Sequence, residues 1–436
     1  MQQDTVKAKT DMKIQSEKNA LAKNTSWLIG AKVYQIAVNL IVSVLTARYL
    51  GPGNYGIVGY AASLAALFTS FCTLGLNSIL VNELIRNRET EGAILGSAIG
   101  LRLLSSGLSV VTVVALSLLL NPEEPVTVAV VALYSTALVF QSFDTLIYWY
   151  QSHLKNKVTA VISAIGYTAA AAYRVILLMT RQNVLWFAAT HVVEYALVAA
   201  LLLIAYIGKG QRLQYHKKLG KQLLSKSYHF ILSGLMVAVY GQMDRIMLKA
   251  MAGERAVGYY CAAAAVVSMW PFVLQALIDS AKPLLLAQYE KDFSQFRRWL
   301  TRLYGAILYI SFAVAMVITL LSKQIVWILY GEAYLAARGA LCILCWSTAF
   351  SYLGVARSIW LVPQEKQACE IYIALSGAAC NLLLNGLLIP LWGVNGAALA
   401  TLLTQIITNF AVGFLFQEVR QNNILILRSF CFWRSY

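Results

Sequence analysis

The chain has 436 residues, of which 59% are hydrophobic and 12% charged, with a mean hydropathy of +0.65. A soluble domain carries roughly 25% charged residues, so this composition excludes a soluble globular protein and predicts an all-α polytopic membrane protein. The formal net charge of +16 does not predict nucleic-acid binding, because the basic residues alternate with apolar runs and read as topology signals.

Residues 1–26 form a basic tail, polar and lysine-rich, without the apolar core of a signal peptide. The first hydrophobic segment is therefore expected to stay in the membrane. A hydrocarbon core about 30 Å thick needs roughly 20 apolar residues per helix. That rule predicts twelve spans, at 27–48, 56–79, 95–120, 126–150, 158–180, 184–207, 228–250, 257–281, 303–322, 338–361, 368–389 and 394–416. The third and fourth divide at the polar turn Asn121-Pro122-Glu123-Glu124-Pro125. With both termini placed in the cytoplasm, 24 Lys and Arg fall on the inner segments and 6 on the outer ones. That bias sets the orientation.

The longest loop, 208–227, carries Lys209, Arg212, Lys217, Lys218, Lys221 and Lys226. It separates six spans (27–207) from six (228–416), and a tail follows at 417–436. Two halves of even span number imply two six-helix lobes related by a parallel pseudo-two-fold repeat. The sequence carries a trace of that repeat. The turn Gly51-Pro52-Gly53-Asn54-Tyr55-Gly56 recurs 202 positions later, with Gly253 under Gly51, Gly258 under Gly56 and Ala263 under Ala61. Asn77 and Ser78 fall on Asp279 and Ser280 at the same offset.

Seven cysteines lie almost entirely within apolar runs. Cys342-x-x-Cys345 has no matching CxxC or HxxxH, so neither metal nor cofactor is predicted. No GxxxxGK[ST] loop, HExxH or Gly-x-Ser-x-Gly motif is present, and no catalytic residue is assigned.

Ionisable groups inside a bilayer cost a few kcal/mol each and face a bundle interior or an aqueous cavity. Lys32, Gln35, Asn39, Ser43 and Thr46 are spaced by three or four and share one helix face. Gln141, Asp144, Tyr148 and Gln151 repeat the pattern in span four, and Ser268, Gln275, Asp279 and Lys282 in span eight. Arg102, Arg174 and Arg357 sit in otherwise apolar helices. The planar guanidinium suits phosphate, so with Lys32 they are candidates for an anionic headgroup. Arg174 with Glu194, or Arg102 with Asp144, could equally form internal pairs. Gln35, Asn39, Gln141, Tyr148 and Gln275 are candidate sugar contacts, along with the aromatics Trp149 and Tyr240. Asp144, Glu194 and Asp279 are candidates for a coupling proton or sodium ion, and His191 is placed to neighbour Glu194. Asp244 and Arg245 read as a local charge pair. Arg48, Gly51 and Gly56 with Lys249, Gly253 and Gly258 read as an outer gate, one copy in each half.

These motifs resemble those of a known family. The turn at Gly51–Gly56 before an alanine-rich span, Asp244 to Lys249 followed by Val257-Gly258-Tyr259-Tyr260, Tyr330-Gly331-Glu332-Ala333-Tyr334, and Ile389-Pro390-Leu391-Trp392-Gly393-Val394-Asn395-Gly396 are similar to elements of the Wzx-type polysaccharide flippases. Those flippases belong to the multidrug/oligosaccharidyl-lipid/polysaccharide exporter superfamily. The likeness spans roughly residues 20–416. It implies a V of two lobes about a cationic cavity and translocation of undecaprenyl-diphosphate-linked sugars by alternating access. The implied setting is a bacterial inner membrane, with membrane lipid and polysaccharide-assembly proteins as partners. The alternatives are a lipid II flippase, an ion-coupled drug or metabolite exporter, and a membrane polymerase or ligase. The excess of intramembrane cations disfavours the exporter, and the short outer loops disfavour the enzyme.

Overall fold

The computed structural model describes residues 2–366 and 369–430, with side chains from residue 33 onward except that of Ser78. Among these residues the regular elements are helical and none is a strand. In chain order they are α1 (Gln2–Thr73), α2 (Asn77–Arg86), α3 (Glu91–Leu120), α4 (Pro125–Ser135), α5 (Ala137–Phe140), α6 (Thr145–Ser152), α7 (Asn156–Met179), α8 (Val184–Tyr206), α9 (Lys217–Val267), α10 (Phe272–Lys291), α11 (Phe293–Tyr330), α12 (Ala337–Leu361), α13 (Cys369–Ile406) and α14 (Gln417–Phe430).

Among the described residues, nine helical stretches are long and apolar enough to cross a membrane. Three of them, Val33–Thr73, Lys217–Val267 and Cys369–Phe414, have 41, 51 and 46 residues. At 1.5 Å per residue each would run for roughly 60–75 Å, about twice the thickness of the hydrocarbon core. Each holds one residue outside helical geometry: Gly51, Gly253 and Gly393, all with positive φ. Dividing each long stretch at its glycine gives twelve helical segments, of which 254–267 reaches crossing length only together with α10. The protein is an all-α polytopic membrane protein.

Several details differ from the expected spans. The eighth is interrupted, because α9 stops at Val267 and α10 starts at Phe272. Pro271, at the break, has no N–H to continue the ladder. The fourth is broken after Ser135 and tightens to a 3₁₀ turn at Gln141–Asp144. The expected loop 208–227 is helical from Lys217 onward. Within the tail 417–436, α14 is tied to α11, where the Tyr304 hydroxyl donates to Asn422 Oδ1 at 2.6 Å.

The chain forms two compact units, Met1–Ser43 with Phe68–Ile231, and Val44–Leu67 with Leu232–Tyr436. This grouping differs from a cut inside the linker. In the first unit Leu80, Leu95, Leu146, Trp149, Leu202 and Leu223 belong to one apolar core, which includes the start of α9. In the second, Phe296, Leu300, Tyr304, Leu353, Trp360 and Ile426 belong to another.

Segment 44–67 joins the second unit through a backbone crossing with α9. A Cβ on Gly56 would lie 1.8 Å from the Glu254 carbonyl oxygen, and one on Gly258 would lie 1.9 Å from that of Pro52. Pro52 and Glu254, like Gly56 and Gly258, are 202 positions apart. The contact is thus the same on both sides, a local two-fold made by duplicated residues. Gly51 (φ 69°, ψ 171°) and Gly253 (φ 82°, ψ 176°) make the same break on each strand of the crossing, a conformation glycine adopts at little cost.

Overpacking of a close contact costs about 1–3 kcal/mol. Gly56→Ala and Gly258→Ala should each lower the thermal unfolding midpoint of the detergent-solubilised chain by that order. Gly53→Ala, whose nearest neighbour atom is 3.8 Å from the added carbon, should leave it near wild type. Equal midpoints for Gly56→Ala and Gly53→Ala would refute the crossing.

Candidate functional site

Two polar clusters lie inside the apolar helices, one in each unit. The first begins at the broken helix α4–α6. The 3₁₀ turn there leaves backbone oxygens without helical partners. Arg102 of α3, buried, answers with Nη2 to the Gln141 carbonyl at 3.2 Å and Nη1 to Thr145 Oγ1 at 3.0 Å. Asp144 lies within Coulombic reach of both Arg102 and Glu194, and Glu194 within reach of Arg174. In the order Arg102, Asp144, Glu194, Arg174, the two carboxylates are neighbours and each has one arginine within reach on its other side. Each arginine thus lies near the acid with which the sequence suggested it could pair, although Arg102 makes its hydrogen bonds to Thr145 and Gln141. Tyr148 lies near Arg102 and Asp144, and Tyr167 hydrogen-bonds to Gln35. His191 stacks on Tyr134 at 4.3 Å and meets Tyr195 edge-on at 4.7 Å, so it is held by aromatic packing. Asn39 is exposed, and Lys32 lies outside the described side chains.

The second cluster centres on Asp244 of α9, which is buried. Its carboxylate accepts four hydrogen bonds: from Asn381 Nδ2 at 2.8 Å, Asn385 Nδ2 at 2.6 Å, the Tyr260 hydroxyl at 2.7 Å and Thr401 Oγ1 at 2.7 Å. Asn381 and Asn385 are one helical turn apart on α13, so both amides face one point. Charge-assisted hydrogen bonds of this kind are roughly twice as strong as neutral ones. The expected Asp244–Arg245 pair is not formed as a contact. Adjacent residues on a helix diverge, and Arg245 donates to Gln242 Oε1 at 3.0 Å and lies over the Tyr260 ring. Below this point Arg357 of α12 grips Glu370 at the start of α13, with Nε to Oε1 at 3.1 Å and Nη2 to Oε2 at 3.0 Å. Tyr240 hydrogen-bonds to Gln405 nearby.

The remaining candidates are placed separately. Gln275 donates to Asp279 at 3.0 Å on α10, and Asp279 is exposed. Arg48 donates from Nε to the Leu329 carbonyl at 2.7 Å and also to that of Ile328, satisfying the C-terminal end of α11. Lys249 pairs with Glu254 at 3.2 Å across the Gly253 break. Trp149 is buried and donates to Glu91 Oε2 at 2.7 Å, so it is part of the core and unavailable to a sugar. Among the described residues no group of three or more His, Cys, Asp or Glu is placed to hold a metal ion.

The convergence on Asp244 escaped the sequence reading. Each member is a polar residue in an apolar helix, but no spacing links α9 to α13. The only available signal was the four-residue interval between the two asparagines.

The sequence profile of the polysaccharide biosynthesis protein family matches residues 21–289, well over half of the chain. The chain belongs to that family. A search of curated proteins finds no match. Among solved structures, the lipid II flippase MurJ in an inward closed conformation is similar, with a TM-score of 0.71, 15% identity, and 94% of this chain and 93% of that chain covered. An inward-facing multidrug-resistance MATE transporter of the MOP superfamily gives 0.62 at 14% identity, covering 91% and 96%. A MOP-superfamily transporter from Pyrococcus furiosus, with a binding pocket of reverse polarity, gives 0.56 at 13% identity, covering 92% and 93%. These likenesses establish the MOP fold.

Leaving buried donors without an acceptor costs about 1–3 kcal/mol per group. Asp244→Ala should therefore destabilise the chain by several times the effect of Asn381→Ala, which deletes one of four donors. Chemical unfolding in detergent measures both. Similar losses for the two variants would show that Asp244 is not the centre of the network.

Proposed function

We propose that this protein is a flippase that moves a polyprenyl-diphosphate-linked oligosaccharide from the cytoplasmic to the outer leaflet of a bacterial inner membrane. The glycan would serve a surface polymer such as O-antigen, capsule or exopolysaccharide. Family membership supports the polysaccharide setting, and the MOP fold supports transport over catalysis. The observation that carries the headgroup assignment is the state of the arginines. Arg102 Nε and Arg357 Nη1 are buried without a hydrogen-bond partner. A cationic donor with a spare N–H in a low-dielectric interior favours an incoming anion. Arg102, Arg174, Arg357 and Lys32 would meet the diphosphate, and Gln35, Asn39, Gln141, Tyr148 and Gln275 the sugars.

Coupling is assigned to a cation at an intramembrane acid. Asp144, Glu194 and Asp279 are candidates, and Asp244 joins them. Asn385 Oδ1 is buried and unbonded beside it. With the two amides turned, the oxygens of Asp244, Asn381, Asn385 and Thr401 would all face one small cation. The crossing of Gly56 and Gly258, with Gly51, Gly253, Arg48 and Lys249 around it, would act as an outer seal during alternating access. Both termini are assigned to the cytoplasm.

The test is replacement of the chromosomal copy by Arg174→Gln, Arg102→Gln or Arg357→Gln. Each variant at wild-type abundance should lose surface polysaccharide at least about tenfold, the scale of one lost charged hydrogen bond. Diphosphate-linked glycan should accumulate in the cytoplasmic leaflet. Normal polysaccharide in all three would defeat the headgroup assignment. Loss of resistance to cationic compounds, with polysaccharide intact, would favour the exporter reading.

A further inference from the structure

The connection between α8 and α9 is docked along its length. Ten residues, 207–216, separate Tyr206 from Lys217. Gln211–Tyr215 run along α3 over Gly92, Gly96 and Gly100, which share one helix face. A Cβ on Gly92 would fall 2.3 Å from the Arg212 carbonyl oxygen, one on Gly96 2.4 Å from that of Gln214, and one on Gly100 2.9 Å from the Tyr215 ring. Hydrogen bonds fix the register. Gln214 N donates to Gly92 O at 3.2 Å, and Gly92 N to Gln211 Oε1 at 3.1 Å. His216 N donates to Ser97 Oγ at 2.9 Å, and the Tyr206 hydroxyl to Gln211 O at 2.8 Å. The first turns of α9 continue the attachment. Gly220 packs on Leu101, Leu223 enters the core, and Lys226 pairs with Glu83 at 2.7 Å.

This strap presents an ordered cationic surface. Residues 207–231 include no Asp or Glu. Lys226 is neutralised by Glu83. Lys209, Arg212, Lys217, Lys218 and Lys221 are exposed and have no carboxylate partner among the described residues. Lys217, Lys221, Leu224 and Tyr228 fall on one face of α9, lysines first and exposed apolar groups next. The helix then enters its membrane crossing. Cations followed by Leu and Tyr at the mouth of a span match the headgroup layer and the acyl boundary in turn.

We propose that the strap and the first turns of α9 form a preorganised docking surface for anionic phospholipid headgroups of the surrounding bilayer. The inference rests on the membrane fold and the strap geometry, and it stands apart from the assignment of the transported substrate. The glycine ridge of α3 supplies the order, and the five free cations supply the charge. An aqueous polyanion would need the lysines but not the apolar residues that follow them.

Native mass spectrometry of the purified full chain, titrated with phosphatidylglycerol, phosphatidylcholine or inorganic pyrophosphate, tests this. The wild type should bind phosphatidylglycerol more tightly than phosphatidylcholine. Each lysine removed should weaken that binding about fivefold, so the combined Lys217→Gln, Lys218→Gln, Lys221→Gln variant should lose most of the preference. Gly96→Leu keeps every charge but displaces the strap, and should lose a comparable part. Ser97→Ala, which deletes only the hydroxyl that receives His216, provides a milder displacement should Gly96→Leu not fold. Unchanged phosphatidylglycerol binding in the triple-lysine variant would overturn the proposal, as would equal affinity for the two lipids. Displacement of the lipid by pyrophosphate would overturn the choice of lipid as occupant. Full binding by a folded strap-displaced variant would overturn the preorganisation.

Discussion

Two absent side-chain atoms decide how α1 and α9 meet. Without a Cβ at Gly56 or Gly258, each helix brings its backbone against a carbonyl of the other, at Glu254 and Pro52. Association within a bilayer gains little from the hydrophobic effect and depends on such close packing. The neighbouring groups follow from that approach. Tyr334 reaches the Ala47 carbonyl at 2.8 Å and lies edge-on to both Tyr55 and Tyr259, one from each strand of the crossing. Arg48 is left at the C-terminal end of α11, where free carbonyls await a cation. Because the contact is the same on both sides, one duplicated motif specifies it twice. Segment 44–67 consequently belongs with α9 and not with the helices that follow it in sequence.

The interior charges obey a second constraint. A lone ion in hydrocarbon is costly, and each described intramembrane arginine proposed for the substrate has an acid beside it: Asp144 for Arg102, Glu194 for Arg174, Glu370 for Arg357. Acids near these arginines offset their charge, so a count of cations overstates the field that an anion would meet. What remains for a ligand is unsaturated hydrogen-bonding capacity. Asp244 is the opposite case. Its carboxylate accepts hydrogen bonds from four neutral donors and is not contacted by Arg245, the cation next to it in sequence.

Span positions were legible because hydropathy and chain reach leave few alternatives: about 20 apolar residues cross and then the chain must turn. The breaks at Gly51 and Gly253 were legible because both copies kept the glycine. The interruptions at 268–271 and 141–144 were not, since each lies within an apolar run whose composition satisfies the span rule. Their stability depends on partners from other helices, such as Arg102 donating to the freed Gln141 carbonyl. The same limit hid the Asp244 network. The four-residue interval between Asn381 and Asn385 puts both on one helix face, but which helix that face meets is a tertiary fact. Arg357 was visible and Glu370 was not considered, because the loop between α12 and α13 conceals that the two residues are brought side by side.

The α3 ridge shows why a motif read in isolation misleads. Glycines at four-residue spacing in an apolar helix ordinarily mark a helix–helix contact. In this chain Gly92, Gly96 and Gly100 receive a non-helical segment, whose carbonyls at the first two and Tyr215 ring at the third lie too close for a Cβ without displacement. An extended backbone on a helix finds few partners, since the helix has used its own N–H and C=O groups. The N-terminal turn of α3 is the exception, with amides still free, and Gly92 N there takes Gln211 Oε1. Farther along, Ser97 substitutes a side chain for the missing backbone partner. The docking is therefore confined to the first turns of α3, where both devices are available. The position of a linker whose own sequence looks like a generic basic loop is encoded in the helix beneath it.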